Sequence, residues 1–484
     1  MLQANRSTSS VGTWAVFTLC SFVWVTSQAL VGQTCSVHAT AASPDLTFDN
    51  DFTQNGPGQP TPDGQIQEPA NIAGWTGGDS TYSIYLPMTG ETAFFFSDSY
   101  IGQAPSQTGD GTAYTDANGL RTRAINCDTS FGCFPPTNLY RAHNSIVVRN
   151  ASGTVEKTIT GPVVGGYSTS YFVPADAAST GHFYWVGDPF LVTMAGGPKV
   201  LLPLMEFDFF LNYYGAAIAQ LSVPTLSIDS ITPIINDPAG DPVHWGISTM
   251  VQTAFGGPTL YVYGIEDQVP FPPFTFIRYR VPHLARVDLR LGLAGITDMN
   301  NWQVFNLSSG WVSNNVLASS PIIGAAGDPN NAGDSIGEGF TVSHIRSAVG
   351  STYLLVSEDT NPNTTLTVDN LPGPPNGPGP VFESTAKDII IYSSCTPQGP
   401  FSPKQVVYST PETQATTVPG MVAGQTLYGH LWTYNPVAHP QFNFGGGLLV
   451  SYNVNSDDSG DLIYADAYRP KFIRIPILGL LPTF

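Results

Sequence analysis

Several short stretches of this chain set an ionisable side chain beside glycine or tryptophan at the opening of a β-rich run. They are Gly77-Gly78-Asp79-Ser80, Trp185-Val186-Gly187-Asp188-Pro189, His244-Trp245-Gly246, Gly337-Glu338-Gly339 and Gly429-His430-Leu431-Trp432. Two carboxyl groups across a cleft can hydrolyse a glycosidic bond, one protonating the leaving oxygen while the other serves as base or nucleophile. A third carboxylate nearby raises the acid's pKa through like charge. On this reading Asp79 is the base or nucleophile, Glu338 or Asp188 the acid, and Asp98, between Ser97 and Ser99, a modulator or sugar contact. Trp185, Trp245 and Trp432 offer flat apolar faces for sugar rings, and His244 and His430 can donate to hydroxyls.

Plainer readings compete at each position. Asp79 follows two glycines and Asp188 precedes a proline, so either can be a turn carboxylate. Asp98 can satisfy local backbone donors, and Glu338 between glycines also suits an exposed loop. His430 and His439 read as hydrogen-bonding structural residues more readily than as catalysts. Glu266-Asp267 and Glu358-Asp359 follow strands and read as solvated turn pairs, and Asp457-Asp458 as surface.

Residues so far apart in sequence need a fold that gathers them. In the stretch Trp75 to Gly102, the runs Thr81–Leu86 and Thr92–Phe96 flank a turn at Thr89-Gly90, a hairpin signal. Asp79 opens the first run and Asp98 closes the second, which puts them at one end of the hairpin. Units built on this plan begin near residues 75, 183, 244, 338 and 428. The spacing is uneven, so the repeat is degenerate. Five units of about four strands fit an all-β, five-bladed β-propeller, a single domain over residues 71–484. Two or three β-sandwich domains are the alternative, but no polar linker separates them. A turn-rich lead-in over residues 30–70 holds one candidate edge strand at Leu46-Thr47-Phe48. In a propeller the first strands of all blades start at one mouth of the channel, so Asp79, Asp98, Asp188, His244, Glu338 and His430 are expected to converge there. The long loop Gln103 to His143 leaves from the same face.

Composition bounds the setting. The chain has 484 residues, 36 acidic against 17 basic, and a formal charge of −19. Such a surface repels nucleic acid and anionic membranes. Arg6, the apolar stretch Val11 to Val25 and Ser27-Gln28-Ala29 read as a signal peptide over residues 1–29, so a secreted, extracellular, monomeric protein is expected. Cys20 leaves with it. The remaining Cys35, Cys127, Cys133 and Cys395 suggest disulfides in an oxidising compartment. Cys127 with Cys133 could staple one loop, leaving Cys35 with Cys395, but three connectivities are open. Sequons stand at Asn150, Asn306 and Asn363. No zinc spacing, calcium loop, P-loop, dinucleotide fingerprint, nucleophile elbow or His-Glu-x-x-His occurs. No cofactor is expected, although a channel of this kind has room for a structural cation.

Trp75-Thr76-Gly77-Gly78-Asp79-Ser80, Phe96-Ser97-Asp98-Ser99-Tyr100-Ile101-Gly102, Asn144-Ser145-Ile146-Val147-Val148, Tyr184-Trp185-Val186-Gly187-Asp188 and Ser451-Tyr452-Asn453-Val454-Asn455 resemble a family of secreted domains of unassigned function. That family is similar to five-bladed propeller glycosidases, including endo-arabinanases acting on D-arabinan. The resemblance spans nearly the whole mature chain. Its motifs fall on Asp79, Asp98 and Asp188. Glu338 corresponds only through its place at the opening of blade four. The resemblance implies a secreted glycoside hydrolase acting on a polysaccharide or oligosaccharide, with arabinan- or fructan-like furanosides as candidates. The alternatives are a non-catalytic carbohydrate-binding propeller and an extracellular interaction protein.

Overall fold

The computed structural model describes residues 35, 37, 39–52, 75–101, 114–115, 121–122, 140–164, 167–194, 196–238, 240–254, 256–268, 279–347, 350–360, 387–412, 431–443, 447–456, 468–478 and 480. The signal segment, Cys127, Cys133, Asn363, His430 and Asp457-Asp458 lie outside the described residues.

Five antiparallel sheets follow one another along the chain. Blade one pairs Tyr82–Leu86, Glu91–Phe96, Ser145–Arg149 and Val155–Ile159. In blade two, Phe183–Val186 and Phe190–Met194 both pair with Gly197–Phe207, followed by Tyr213–Ser222 and Ile228–Pro233. Blade three runs from Val243–Ala254 through Gly257–Gln268, Tyr279–Asp288 and Gln303–Asn306 to Gly310–Ser313. Blade four is Thr341–Ser347, Gly350–Glu358, Asp388–Ser394 and Gln405–Ser409. Blade five takes Leu431–Ala438, Gly447–Ser456 and Pro470–Pro476, and its outer strand is Ser43–Pro44 from the other end of the chain.

The sequence pattern explains why the sheets stack into a ring. Side chains alternate faces along a strand, and each blade is buried on both. In Ala93-Phe94-Phe95-Phe96, Ala93 and Phe95 pack toward Val186, Leu202 and Leu204 of blade two. Phe94 and Phe96 pack the other way, with Leu449 and Phe472 of blade five. Further clusters join Leu201 and Ile218 to Val262 and Ala285, Tyr263 and Leu284 to Val342 and Leu355, and Leu354 and Val356 to Leu448 and Val450. Every blade therefore packs on the next, and blade five returns to blade one. This is a five-bladed β-propeller, and the sandwich alternative falls away.

Hydrogen bonds tie the same junctions. Val186 N donates to Ser97 Oγ at 3.1 Å, Val342 N to Ser248 Oγ at 2.9 Å, and Ala438 N to Thr341 Oγ1 at 2.8 Å. Asn453 Nδ2 closes the ring on Gly78 O at 3.0 Å.

The lead-in differs from expectation. Leu46–Asp51 is a short helix, and the edge strand lies just before it at Ser43–Pro44. Asp45 Oδ1 accepts from Phe48 N at 3.0 Å, an N-cap bond that favours helix over strand. The four-residue step from Phe48 to Phe52 then places both rings in the core shared by blades five and one. Cys35 is bonded to Cys395, with Cα atoms 5.1 Å apart. Among the described residues, no helix is long and apolar enough to cross a membrane.

Candidate functional site

Asp79 stands at a forced bend. Its neighbours Ser80 and Thr81 have φ of 71° and 51°, a left-handed backbone that costs energy at non-glycine residues. Upstream, Trp75–Gly78 pairs with Ser99–Ile101. A Cβ on Gly77 would lie 2.1 Å from Tyr468 O, so only glycine lets this strand pass blade five. The hairpin end is locked by two backbone bonds, Asp79 N to Asp98 O at 3.1 Å and Ser97 N to Asp79 O at 3.0 Å. The expected adjacency of Asp79 and Asp98 at one rim is what the structure shows.

The Asp79 carboxylate accepts two phenol bonds through Oδ2, from Tyr434 at 2.8 Å and from Tyr468 at 2.9 Å. Burial, reinforced by the Asp79 charge, holds the Tyr434 phenol well above its ordinary pKa, so it remains a donor. Around Asp79 lies a small pocket of about 60 Å³, walled by Trp185, Phe207, His244, Glu338, Tyr434 and Asn435. Asp79 of blade one and Glu338, at the entry to blade four, thus share one pocket. Glu338 Oε2 lies 3.4 Å from Arg280 Nη2, and Arg280 is also held by Asp267 at 2.8 Å, which offsets its charge. His244 lies against Tyr213, ring centroids 4.3 Å apart, and Trp185 against Phe207 at 4.8 Å.

Other expected members stand elsewhere. Asp188 does not line this pocket. The strand edge of blade two breaks at Gly187–Pro189 and resumes on the same partner strand, and Asp188 sits in that break, just before Phe190–Met194. It faces a second cavity of about 520 Å³ with Thr249, Thr341, His344 and Arg346. Burial raises its pKa to about 7, against the pull of bonds from Thr249 N at 2.9 Å and Ser248 Oγ at 3.2 Å. The charges of Asp188 and Glu338 both act on the buried Tyr82 phenol, which lines the Asp79 pocket.

Asp98 is buried, and its Oδ1 meets His143 Nδ1 at 2.9 Å, while the His143 ring stacks on Phe183 at 3.9 Å. It fixes the rim behind Asp79 and does not line the pocket. Trp245 is a core residue, with its Nε1 donating to Asp241 Oδ2 at 2.9 Å, and offers no face to a sugar. Trp432 packs on Tyr434 at 4.4 Å and is not among the lining residues. The acidic pairs are also not solvated turns. Glu266 bonds His283 at 2.9 Å, Glu358 and Asp359 are buried, and Asp359 meets Lys404 at 2.9 Å. His439 is structural as expected, buried between Ser83 and Ser451 hydroxyls, and burial lowers its pKa to about 3.

Tyr434, Tyr468, Asn435 and Tyr82 escaped the sequence reading. The one available signal was Pro436, which breaks an otherwise continuous strand run and marks a bulge. The register does shift there, between Tyr434 and Val437.

Residues 382–477 match the family model described as "Domain of unknown function (DUF5005)". That match agrees with the resemblance to a family of unassigned function. No curated protein sequence matches the chain. Among solved structures, an exo-beta-1,3-galactanase from Phanerochaete chrysosporium with beta-1,3-galactotriose aligns at 8% identity and a TM-score of 0.37. The alignment covers 87% of this chain and 64% of that one, so the chain spans less than two thirds of the galactanase's length. A putative exo-beta-1,3-galactanase from Bifidobacterium bifidum aligns at 8% identity and a TM-score of 0.37, covering 89% of this chain and 96% of that one. An alpha-L-arabinofuranosidase from Lactobacillus brevis aligns at 10% identity and a TM-score of 0.35, covering 84% and 92%.

Proposed function

We propose that this protein is a secreted glycoside hydrolase acting on a polysaccharide or its oligomers, with furanosides such as arabinan or fructan as first candidates. The observation that carries the reading is the shared pocket of Asp79 and Glu338, walled by aromatic rings. Asp79 is the base or nucleophile. Two phenols fix its Oδ2 and so restrict its orientation, the positioning that near-attack geometry requires. Glu338 is the acid, since Asp188, although protonated up to about pH 7, faces the other cavity. Asp98 acts by holding the hairpin end that carries Asp79. His244 and Trp185 contact the sugar.

Secretion rests on the N-terminal segment and the cysteines. Asn150 and Asn306, each beside a turn between strands, are the proposed glycan acceptors. The test is release of sugar from arabinans, fructans and galactans, with Asp79→Asn and Glu338→Gln as controls. A non-catalytic carbohydrate-binding propeller would bind one of these glycans and release nothing from it.

A further inference from the structure

At the wall of the Asp79 pocket, neither Nε1 of Trp185 nor Oδ1 of Asn435 has a hydrogen-bond partner among the described residues. Both atoms are buried, and Asn435 as a whole is 8% exposed. Leaving a buried donor or acceptor unpaired costs roughly 1–3 kcal/mol, so at a pocket wall such an atom is completed by water or by a ligand.

Asn435 is held in this position by three separate features. It occupies a left-handed conformation, φ 51°. It lies in the bulged stretch of its strand, and a bulge re-aims a side chain. Its Oδ1 comes within 2.5 Å of where a Cβ on Gly339 would stand, so the glycine after Glu338 makes the space it occupies.

We infer that Trp185 and Asn435 form a neutral donor–acceptor pair that reads hydroxyls of an uncharged sugar unit, and that the pocket discriminates against uronates. This inference rests on the glycan reading of the same pocket. Among the described residues the lining holds two carboxylates, Asp79 and Glu338, and neither lysine nor arginine. Arg280, which reaches Glu338 from behind, is bound to Asp267 as well. A uronate carboxylate entering here would meet like charge and an amide oxygen that can only accept. A neutral sugar brings a hydroxyl that accepts from Trp185 Nε1 and another that donates to Asn435 Oδ1. At about 60 Å³ the pocket suits the hydroxyl-bearing edge of a single ring.

The experiment is calorimetric binding to the Asp79→Asn protein, in which turnover does not intrude. The probes are arabino-, fructo- and galacto-oligosaccharides and, as the anionic counterpart, tri-galacturonate. At least one neutral oligosaccharide is expected to bind, with tri-galacturonate at least about tenfold weaker. Adding Trp185→Phe, which removes the N–H and keeps a ring, or Asn435→Gly, which keeps the left-handed backbone accessible, is expected to weaken the neutral ligand by about three- to tenfold. Melting temperatures identify any variant that fails to fold, and the other variant then decides. Neutral binding unaffected by the substitutions, or tri-galacturonate binding equally well, overturns the inference while leaving the glycan reading intact. Binding of none of the probes overturns the glycan reading itself.

Discussion

Tyr434 Oη donates to Asp79 Oδ2 at 2.8 Å, joining the inner strand of the last blade to the entry of the first. One hydrogen bond thus couples closure of the ring to the orientation of the candidate base. Tyr468 repeats the contact from the same blade at 2.9 Å. Tyr434→Phe should lower kcat by about tenfold, through loss of positioning, with KM changed less than about twofold. The double variant with Tyr468→Phe should lose more than either alone. Steady-state kinetics on a responsive glycan checks both, and a purely structural role would lower the melting temperature without this split.

The two tryptophans that follow the same sequence logic should behave differently. Trp245→Ala opens a core cavity and should destabilise the protein by about 3–5 kcal/mol. Trp185 is only partly buried at the pocket wall. Trp185→Ala should weaken glycan binding more than it lowers stability. Urea unfolding and binding calorimetry on both variants separate the effects.

Stability should respond to pH through two groups of opposite sign. Asp188 has a pKa of about 7 in the folded protein against the usual 3.8. The folded state therefore holds the proton more tightly, and stability present below about pH 4 is lost as pH rises through about 7. Asp188→Asn should flatten that fall, with its melting temperature above the wild type's at about pH 8. His439, at about 3 against the usual 6.5, contributes stability above about pH 6.5 that is lost as pH falls toward about 3. His439→Gln should flatten the acid side. Melting temperature against pH reads both.

The Cys35–Cys395 bond ties the start of the described chain to the region after the third strand of blade four. Cys395→Ser should cost about 2–4 kcal/mol in denaturant unfolding. Unchanged stability would show that the bond constrains little.

The sequence legibly carried the ring and half of the pocket. Runs such as Phe94-Phe95-Phe96 read as strands buried on two faces, and turn glycines punctuated them, so the blades were visible without homologues. Asp79 and Glu338 were found because each precedes the inner strand of its blade. Asp188 shares that local signature, just before Phe190–Met194, yet lines the other cavity, a difference with no trace in the local sequence. Trp245 could not be told from Trp185, because neighbouring residues on a strand face opposite sides and register decides which is buried. Tyr434 and Asn435 reach the pocket, and Tyr468 reaches Asp79, only through ring closure and a bulge, long-range features that leave almost no local trace.

The most direct test of the account is the rate of sugar release from a panel of arabinans, fructans and galactans by the wild type, Asp79→Asn and Glu338→Gln. The account predicts turnover of at least one neutral glycan by the wild type, and losses of about a thousandfold in each variant at nearly unchanged melting temperature. Wild-type turnover that persists within about tenfold in Asp79→Asn would contradict it.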